Sequence, residues 1–457
     1  MAIVKVARRQ AALTRCVLGA GERAGPYESW RYGNGRAIQV TPDAAALFCG
    51  VRPEKMGGPD YVDGSRVVLF DDLDRIADSE SVPLASNEFF GDPKSGKARM
   101  AMKHGVWPWF VPAGARLADG APHPWPGTGF GLQSVLEVPV DENLRWGKGA
   151  LYKDAEKRTA VYQFRCGARG FEVVGVQEHK PEDMPVVPTH PITAQMEAVA
   201  VGDRERFRWR LADKGLGPGL PDGADMLMPA MAARVAPEGD APGRPAAGVM
   251  RWRCDDGEWK PVHFTPIAVS VDGVEQYWHE PSLVRARDGA LLFSARPRFG
   301  PYEHTVRLWR SEDGMAWQVV FDRLQARAES PVTINSAADG TPYFALNPWF
   351  SEYEGMPYTH GRRRMDIRPM RPDLSDWGEG LLVRRTETGR AERSRWLLDH
   401  PLSATIRLKD GVWRHVLAYR SLFSGAFDEM DEGSLSYGLY LDAIESDGPA
   451  IAPWRFD

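Results

Sequence analysis

Short runs in which apolar and polar positions alternate with a period of two dominate the chain, whereas apolar residues spaced i, i+3, i+4 and i+7 occur almost nowhere. The clearest runs come in pairs split by Asp-Gly, a strong short-range signal for a tight β-hairpin. Pro281–Arg296 turns at Asp288-Gly289, Ser330–Asn347 at Asp339-Gly340, and Leu402–Arg420 at Asp410-Gly411. A third strand is predicted at Thr305–Arg310 and at Leu435–Leu441, and a fourth at Gln318–Phe321. Four antiparallel strands per repeat is the plan of a β-propeller blade. Weaker versions fall at Ala37–Phe70, Ala98–Val111, Gly149–Val176 and Met226–Phe264, with turns that include Asp63-Gly64, Lys153-Asp154 and Asp256-Gly257. The pattern predicts an all-β fold, a single propeller spanning residues 1–457 with about seven blades, or about six if the N-terminal segment only completes the last one. A short helix is expected only within Val187–Leu211.

Composition supports this plan. The 457 residues include 46 Gly and 36 Pro, which suits many turns and argues against long helices; a hydrophobic share of 43% is enough to build a core and excludes disorder. Most of the 16 Trp are expected to be blade core. Lys+Arg 57 against Asp+Glu 62 leaves −5, and the only local basic run is Arg362-Arg363-Arg364, so no nucleic-acid partner is expected. No apolar stretch is long enough to span a membrane, and Met1–Gly21 contains no secretion-signal core, so the chain reads as soluble with no membrane partner. A periplasmic or secreted location would follow from a signal already removed. Cys16, Cys49, Cys166 and Cys254 are scattered and read as buried free thiols. The HExxH, CxxC, EF-hand, GxGxxG, GxxxxGK[ST] and GxSxG spacings are absent, so no metal or cofactor is expected.

Arg310-Ser311-Glu312-Asp313-Gly314-Met315-Ala316-Trp317 resembles the Asp-box, the turn between the third and fourth blade strands of the sialidase-like (BNR-repeat) propeller superfamily. Asp255–Trp259 is a weaker relative, and Pro372–Trp377 is similar to a blade-closing turn of related glycan-active propellers. His279-Glu280-Pro281-Ser282, through Asp288-Gly289 to Arg296, resembles a blade opening of the same superfamily, and Ser330–Asn335 with Asn347-Pro348 resembles the next. The likeness covers about 275 to 380 well. It implies a propeller fold and a carbohydrate partner, with sialidase-like glycoside hydrolysis as the first expected activity and polysaccharide elimination or binding without catalysis as the alternatives.

Hairpin geometry suggests where a site would lie, because the residues before the first strand and after the second share the end opposite the turn. This brings together His279, Glu280, Arg296 and Arg298 from one blade, Glu329 and Asn347 from the next, and His400, Tyr419 and Arg420 from the last. Arginine forks suit a carboxylate or sulfate, so an acidic oligosaccharide or polysaccharide is the expected partner; no oligomeric state is implied. Trp278, Trp349 and Tyr358 are candidate plates for sugar rings. His279, Glu280 and Tyr358 are the candidate catalytic residues; Arg296, Arg298, Asn347, His400, Tyr419 and Arg420 are the candidate substrate-binding ones. The superfamily's sialidases imply a Tyr nucleophile assisted by Glu, which points to Tyr358 or Tyr419 beside Glu280, but no full arginine triad is assigned. Elimination would instead use His279 or Tyr358 as the base, with Arg296 or Arg420 on the carboxylate. The competing structural reading makes Glu280 and Arg296 a bridge, His400 an anchor of the last blade, and His104 a packing residue.

Overall fold

A computed structural model describes residues 4–13, 30–53, 64–140, 155–167, 170–189, 208–235, 245–268, 277–299, 305–324, 330–348, 362, 364–385, 396–423 and 438–456. Among these, helical structure is limited to 3-10 turns at Leu73–Asp78, Pro93–Ser95 and Pro181–Asp183. The strands form six small sheets arranged as the blades of a propeller.

Strand β1 (Val4–Leu13) belongs to the last blade. Blade one contains β2 (Trp30–Thr41), β3 (Ala44–Pro53), β4 (Gly64–Phe70) and β5 (Ser81–Ser86) in sequential order. Blade two contains β6 (Glu88–Phe90), β7 (Arg99–Lys103), β8 (Trp107–Val111), β9 (Thr128–Pro139), β10 (Glu156–Gly167) and β11 (Gly170–His179). Blade three contains β12 (Val186–Pro188), β13 (Arg208–Lys214), β14 (Leu220–Asp222), β15 (Asp225–Arg234), β16 (Ala246–Asp255) and β17 (Glu258–Ala268). Blade four is β18 (Tyr277–Arg285), β19 (Leu291–Phe299), β20 (Thr305–Ser311) and β21 (Gln318–Leu324). Blade five is β22 (Thr333–Ser336), β23 (Pro342–Leu346), β24 (Arg364–Pro369) and β25 (Leu381–Arg385). Blade six is β26 (Trp396–Arg407), β27 (Trp413–Phe423), β28 (Gly438–Ser446) and, on its outer edge, β1.

The blades number six, the alternative in which the N-terminal segment completes the last blade, instead of the favoured seven. Ala98–Val111 and Gly149–Val176 read as separate repeats because each has its own alternation, yet β9 pairs with β7, β8 and β10 and joins them in one sheet. The three strong Asp-Gly hairpins form as expected, as β18–β19, β22–β23 and β26–β27. Lys153-Asp154 and Asp63 lie outside the described residues, while Gly64 opens β4. No helix occurs among the described residues of Val187–Leu211.

Blades two and three split their inner edges. β7 and β8 pair with opposite halves of β9, and β13 and β14 pair with opposite halves of β15. The resulting breaks are His104–Val106 and Gly215–Gly219; His104, Gly105, Val106 and Leu216 line the axial depression.

Aromatic packing joins neighbouring blades. Phe130 of blade two stacks on Trp252 of blade three at 4.1 Å and lies near Trp259 at 5.8 Å, which accounts for much of the Trp excess as core. The Ser311–Trp317 turn connects β20 and β21. Asp313 Oδ1 accepts the N–H groups of Met315 and Ala316 at 2.8 and 2.9 Å, Ser311 Oγ accepts that of Gly314, and Gly314 supplies φ 75°. Asp313→Ala removes the acceptor of two amides, and urea unfolding is expected to show a loss of about 1 kcal/mol.

Candidate active site

The inner strands place polar residues of five blades around one axial depression of about 140 Å³. Arg36 comes from β2, His104 from the break before β8, Trp107 from the start of β8, Asp213 and Lys214 from the end of β13, His279 and Glu280 from β18, and His400 and Arg420 from β26 and β27.

Two bulges aim the central pair. Ladder register breaks between His279 and Ser282 opposite β19, and between Asp399 and Leu402 opposite β27. Glu280 and His400 occupy these bulges with φ 48° and 52°, and each precedes a proline. Adjacent side chains on a regular strand point to opposite faces, but the extra residue lets both His279 and Glu280 line the depression. A left-handed conformation costs a non-glycine residue about 1–2 kcal/mol, and here two such residues stand in one cavity.

The pair is coupled through charge. Arg296 Nη1 donates to Glu280 Oε2 at 2.8 Å, His279 Nδ1 lies 3.6 Å from Oε1, and His400 Nε2 lies 4.0 Å from the same oxygen. Burial alone would raise the Glu280 carboxyl, but Arg296, His279 and His400 hold it well below the usual carboxylate range. On the far side of His400, Nδ1 meets Asp399 Oδ1 at 3.0 Å. Asp399 is fully buried and accepts from Arg420 Nε, from Arg420 Nη2 at 3.1 Å and from Arg362 Nη1 at 2.5 Å. Burial opposes the Asp399 charge, yet Arg420, His400 and Arg362 keep its carboxyl far below normal. Since Asp399 is ionised it can only accept, so Nδ1 carries the His400 proton and Nε2 presents a lone pair. Burial and then Arg420 lower the His400 pKa below the ordinary histidine value, which keeps the ring neutral.

A cation faces this pair. Lys214 Nζ donates to Ser134 Oγ at 3.1 Å, lies 3.6 Å from Asp213 Oδ1 and sits 5.6 Å from the centre of the Trp107 ring. Burial lowers its pKa while Asp213 opposes the shift; Asp213 itself is pulled to about 2 by Lys214, Lys157 and His279 against its own burial.

Of the sequence candidates, His279, Glu280, His400 and Arg420 line the depression, and Arg296 reaches it through Glu280. Asn347 does not: it is buried, accepting from Ser330 Oγ and donating to the carbonyls of Arg364 and Leu398, where it clips blade five to blade six. Tyr419 is also withdrawn, fully buried between Asp442, to which it donates at 2.8 Å, and Arg384, from which it accepts at 2.5 Å. Trp278 is core, packed edge-on against Trp309. Tyr358, Trp349, Glu329 and the side chain of Arg298 lie outside the described residues. Sequence reasoning missed Arg36, Lys214 and Asp399. For Asp399 a signal existed: Asp399-His400-Pro401 stands in its hairpin where His279-Glu280-Pro281 stands in another.

No protein-family model matches the chain, and no curated protein does. Solved structures with a similar course exist. One from Dyadobacter fermentans, described as a protein of unknown function, is 13% identical with a TM-score of 0.45, covering 95% of this chain and 98% of that one. The NanB sialidase of Streptococcus pneumoniae, as its K499G mutant, is 10% identical with a TM-score of 0.43, covering 94% and 70%. An ulvan lyase, described as a new polysaccharide lyase family, is 10% identical with a TM-score of 0.34, covering 93% and 80%. At these values the likeness carries no activity over to this chain, so the reaction has to be read from its own residues.

Proposed function

We propose that the protein is a carbohydrate-active enzyme that eliminates at a uronate of an acidic glycan, with His400 as the base. The carrying observation is the placement of His400, its Nδ1 against buried Asp399 and its Nε2 beside Glu280 in the axial depression. Hydrolysis by two carboxyl groups needs one of them protonated to act as acid. Glu280 and Asp213 are both held ionised, which disfavours that route. The sialidase route needs a Tyr nucleophile; of the two candidates Tyr419 is sealed in the core, and Tyr358 lies outside the described residues.

Elimination uses what the cavity contains. Lys214 sits against the uronate carboxylate and disperses the charge that builds up as the neighbouring C–H bond breaks. His400 Nε2 takes that proton, the electron pair forms the new carbon–carbon double bond, and the glycosidic oxygen departs. The imidazolium, flanked by Asp399 and Glu280, can return the same proton to the leaving oxygen. His279 and Arg296 keep Glu280 ionised for that moment.

The test is a panel of uronate-containing and sialylated polysaccharides, followed by both reducing ends and the ultraviolet absorbance of an unsaturated uronate. Reducing ends that rise together with absorbance are the expected result. Reducing ends without absorbance would replace elimination by hydrolysis, and binding without either product would leave a glycan-binding propeller.

A further inference from the structure

Beyond the depression just described, a second cavity of about 250 Å³ lies farther along the axis, lined by the continuation of the inner strands of all six blades and bordered by Ile451–Trp454 of the C-terminal segment. Its walls are largely apolar, with Pro108, Phe110, Pro218, Met226, Val284 and Ile451 among them. Among the described residues that line it, none is Asp or Glu. Two are arginines: Arg285 at the rim, which donates to the carbonyls of Gly289 and Pro221, and Arg36, which borders both cavities. Of the other polar side chains that line it, the buried ones are engaged with one another or with backbone. Gln39 binds three carbonyls, Ser403 donates to Asn335, and His415 lies between Thr405 and Tyr343.

Two donors remain. Arg36 is 3% exposed, and its Nη1 has no hydrogen-bond partner among the described residues. Trp109, from the neighbouring blade, is 2% exposed, and its Nε1 has none either. The guanidinium stacks over the Trp109 ring at 4.8 Å, so the two orphan donors belong to one locus. Gly219 makes that arrangement possible: a Cβ there would fall 1.7 Å from Trp109 Cδ1. A buried cation without a counter-charge is costly, and a cavity with donors, positive charge and apolar walls is complementary to an acceptor carrying negative charge on an apolar body.

We propose that this channel cavity is a second ligand site that takes a small organic carboxylate, its oxygens held by Arg36 and Trp109 and its apolar body by the proline-rich wall. The site shares Arg36 with the proposed catalytic depression, while Trp109 and the apolar wall belong to this cavity alone, and it does not depend on the reaction assigned there.

Calorimetric titration of the full chain with benzoate, benzamide and sulfate tests it. Benzoate is expected to bind saturably, with benzamide and sulfate weaker by about tenfold or more, because one lacks the charge and the other the apolar body. Arg36→Met should weaken benzoate by at least about tenfold, and Trp109→Phe, which keeps a ring but loses the N–H, by a few-fold. His400→Ala should bind benzoate as the unaltered chain does, which keeps this outcome distinct from failure of the catalytic reading. Arg36→Met removes an unpaired buried charge, so it is expected to fold and to melt at a temperature no lower than the parent in the absence of benzoate. No benzoate binding, equal affinity for benzoate and benzamide, affinity unchanged in Arg36→Met, or binding lost in His400→Ala would each overturn the proposal.

Discussion

His400→Ala is expected to lower turnover of a uronate substrate by about 10²–10⁴-fold with KM little changed, the range that a positioned general base contributes. Steady-state kinetics with circular dichroism as a folding control measures it, and a wild-type rate in the variant would remove His400 from the mechanism. The pH profile offers an independent check. The base must be neutral, so the rate falls as pH drops through the His400 pKa. Burial and Arg420 hold that pKa below the ordinary histidine value, which extends activity further into acid than an exposed histidine would. Arg420→Met should move the acid limb upward, since it removes a positive neighbour. Loss of Asp399 should also move it, downward, since it removes a negative one.

Asp399→Asn is expected to destabilise the fold by about 3–5 kcal/mol, the usual consequence of taking one partner from a buried ion pair. The carboxylate neutralises Arg420 and Arg362, both nearly inaccessible, and orients His400. An amide keeps the shape but leaves two guanidinium groups without a counter-charge. Urea unfolding of the variant and of Asp399→Asn/Arg420→Met gives the coupling, and the double variant should recover part of the loss. Because the folded-state pKa of Asp399 is depressed, its stabilisation is present above the ordinary Asp pKa and disappears as pH falls through the folded value. The gap between parent and Asp399→Asn should thus persist at neutral and mildly acid pH and close only in strong acid. A difference under about 1 kcal/mol at neutral pH would contradict this account.

Much of the scaffold is readable from residues alone because hairpins are local. Asp288-Gly289, Asp339-Gly340 and Asp410-Gly411 each set a turn and thereby a register, and all three glycines adopt positive φ. Blade count is not local: whether Ala98–Val111 and Gly149–Val176 share a sheet depends on β9, which no spacing reveals. The site divides in the same way. His279, Glu280 and His400 follow from the open ends of hairpins. Tyr419 and Arg420 are neighbours on β27 and so point to opposite faces, one into the core and one toward the depression. At Glu280 the same alternation would have been misleading, since the bulge brings neighbours to one side. Arg36 and Lys214 matter because of what surrounds them, and one-dimensional spacing carries no information on burial or missing partners.

The seam of blade six has a kinetic consequence. β1 pairs with β28 from Val4 opposite Ser446 to Leu13 opposite Leu439, so the last sheet is completed by opposite ends of the described chain. Such a contact has the highest sequence separation available here, and the entropy of closing so large a loop must be met before the pairing stabilises anything. Ring closure is thus expected late in folding. Once closed, the ring cannot lose a blade from a free end, and the barrier to reopening resides in one seam of backbone hydrogen bonds. Resistance to proteolysis and to slow heating should then follow the rate at which β1 detaches more closely than the overall free energy of the fold.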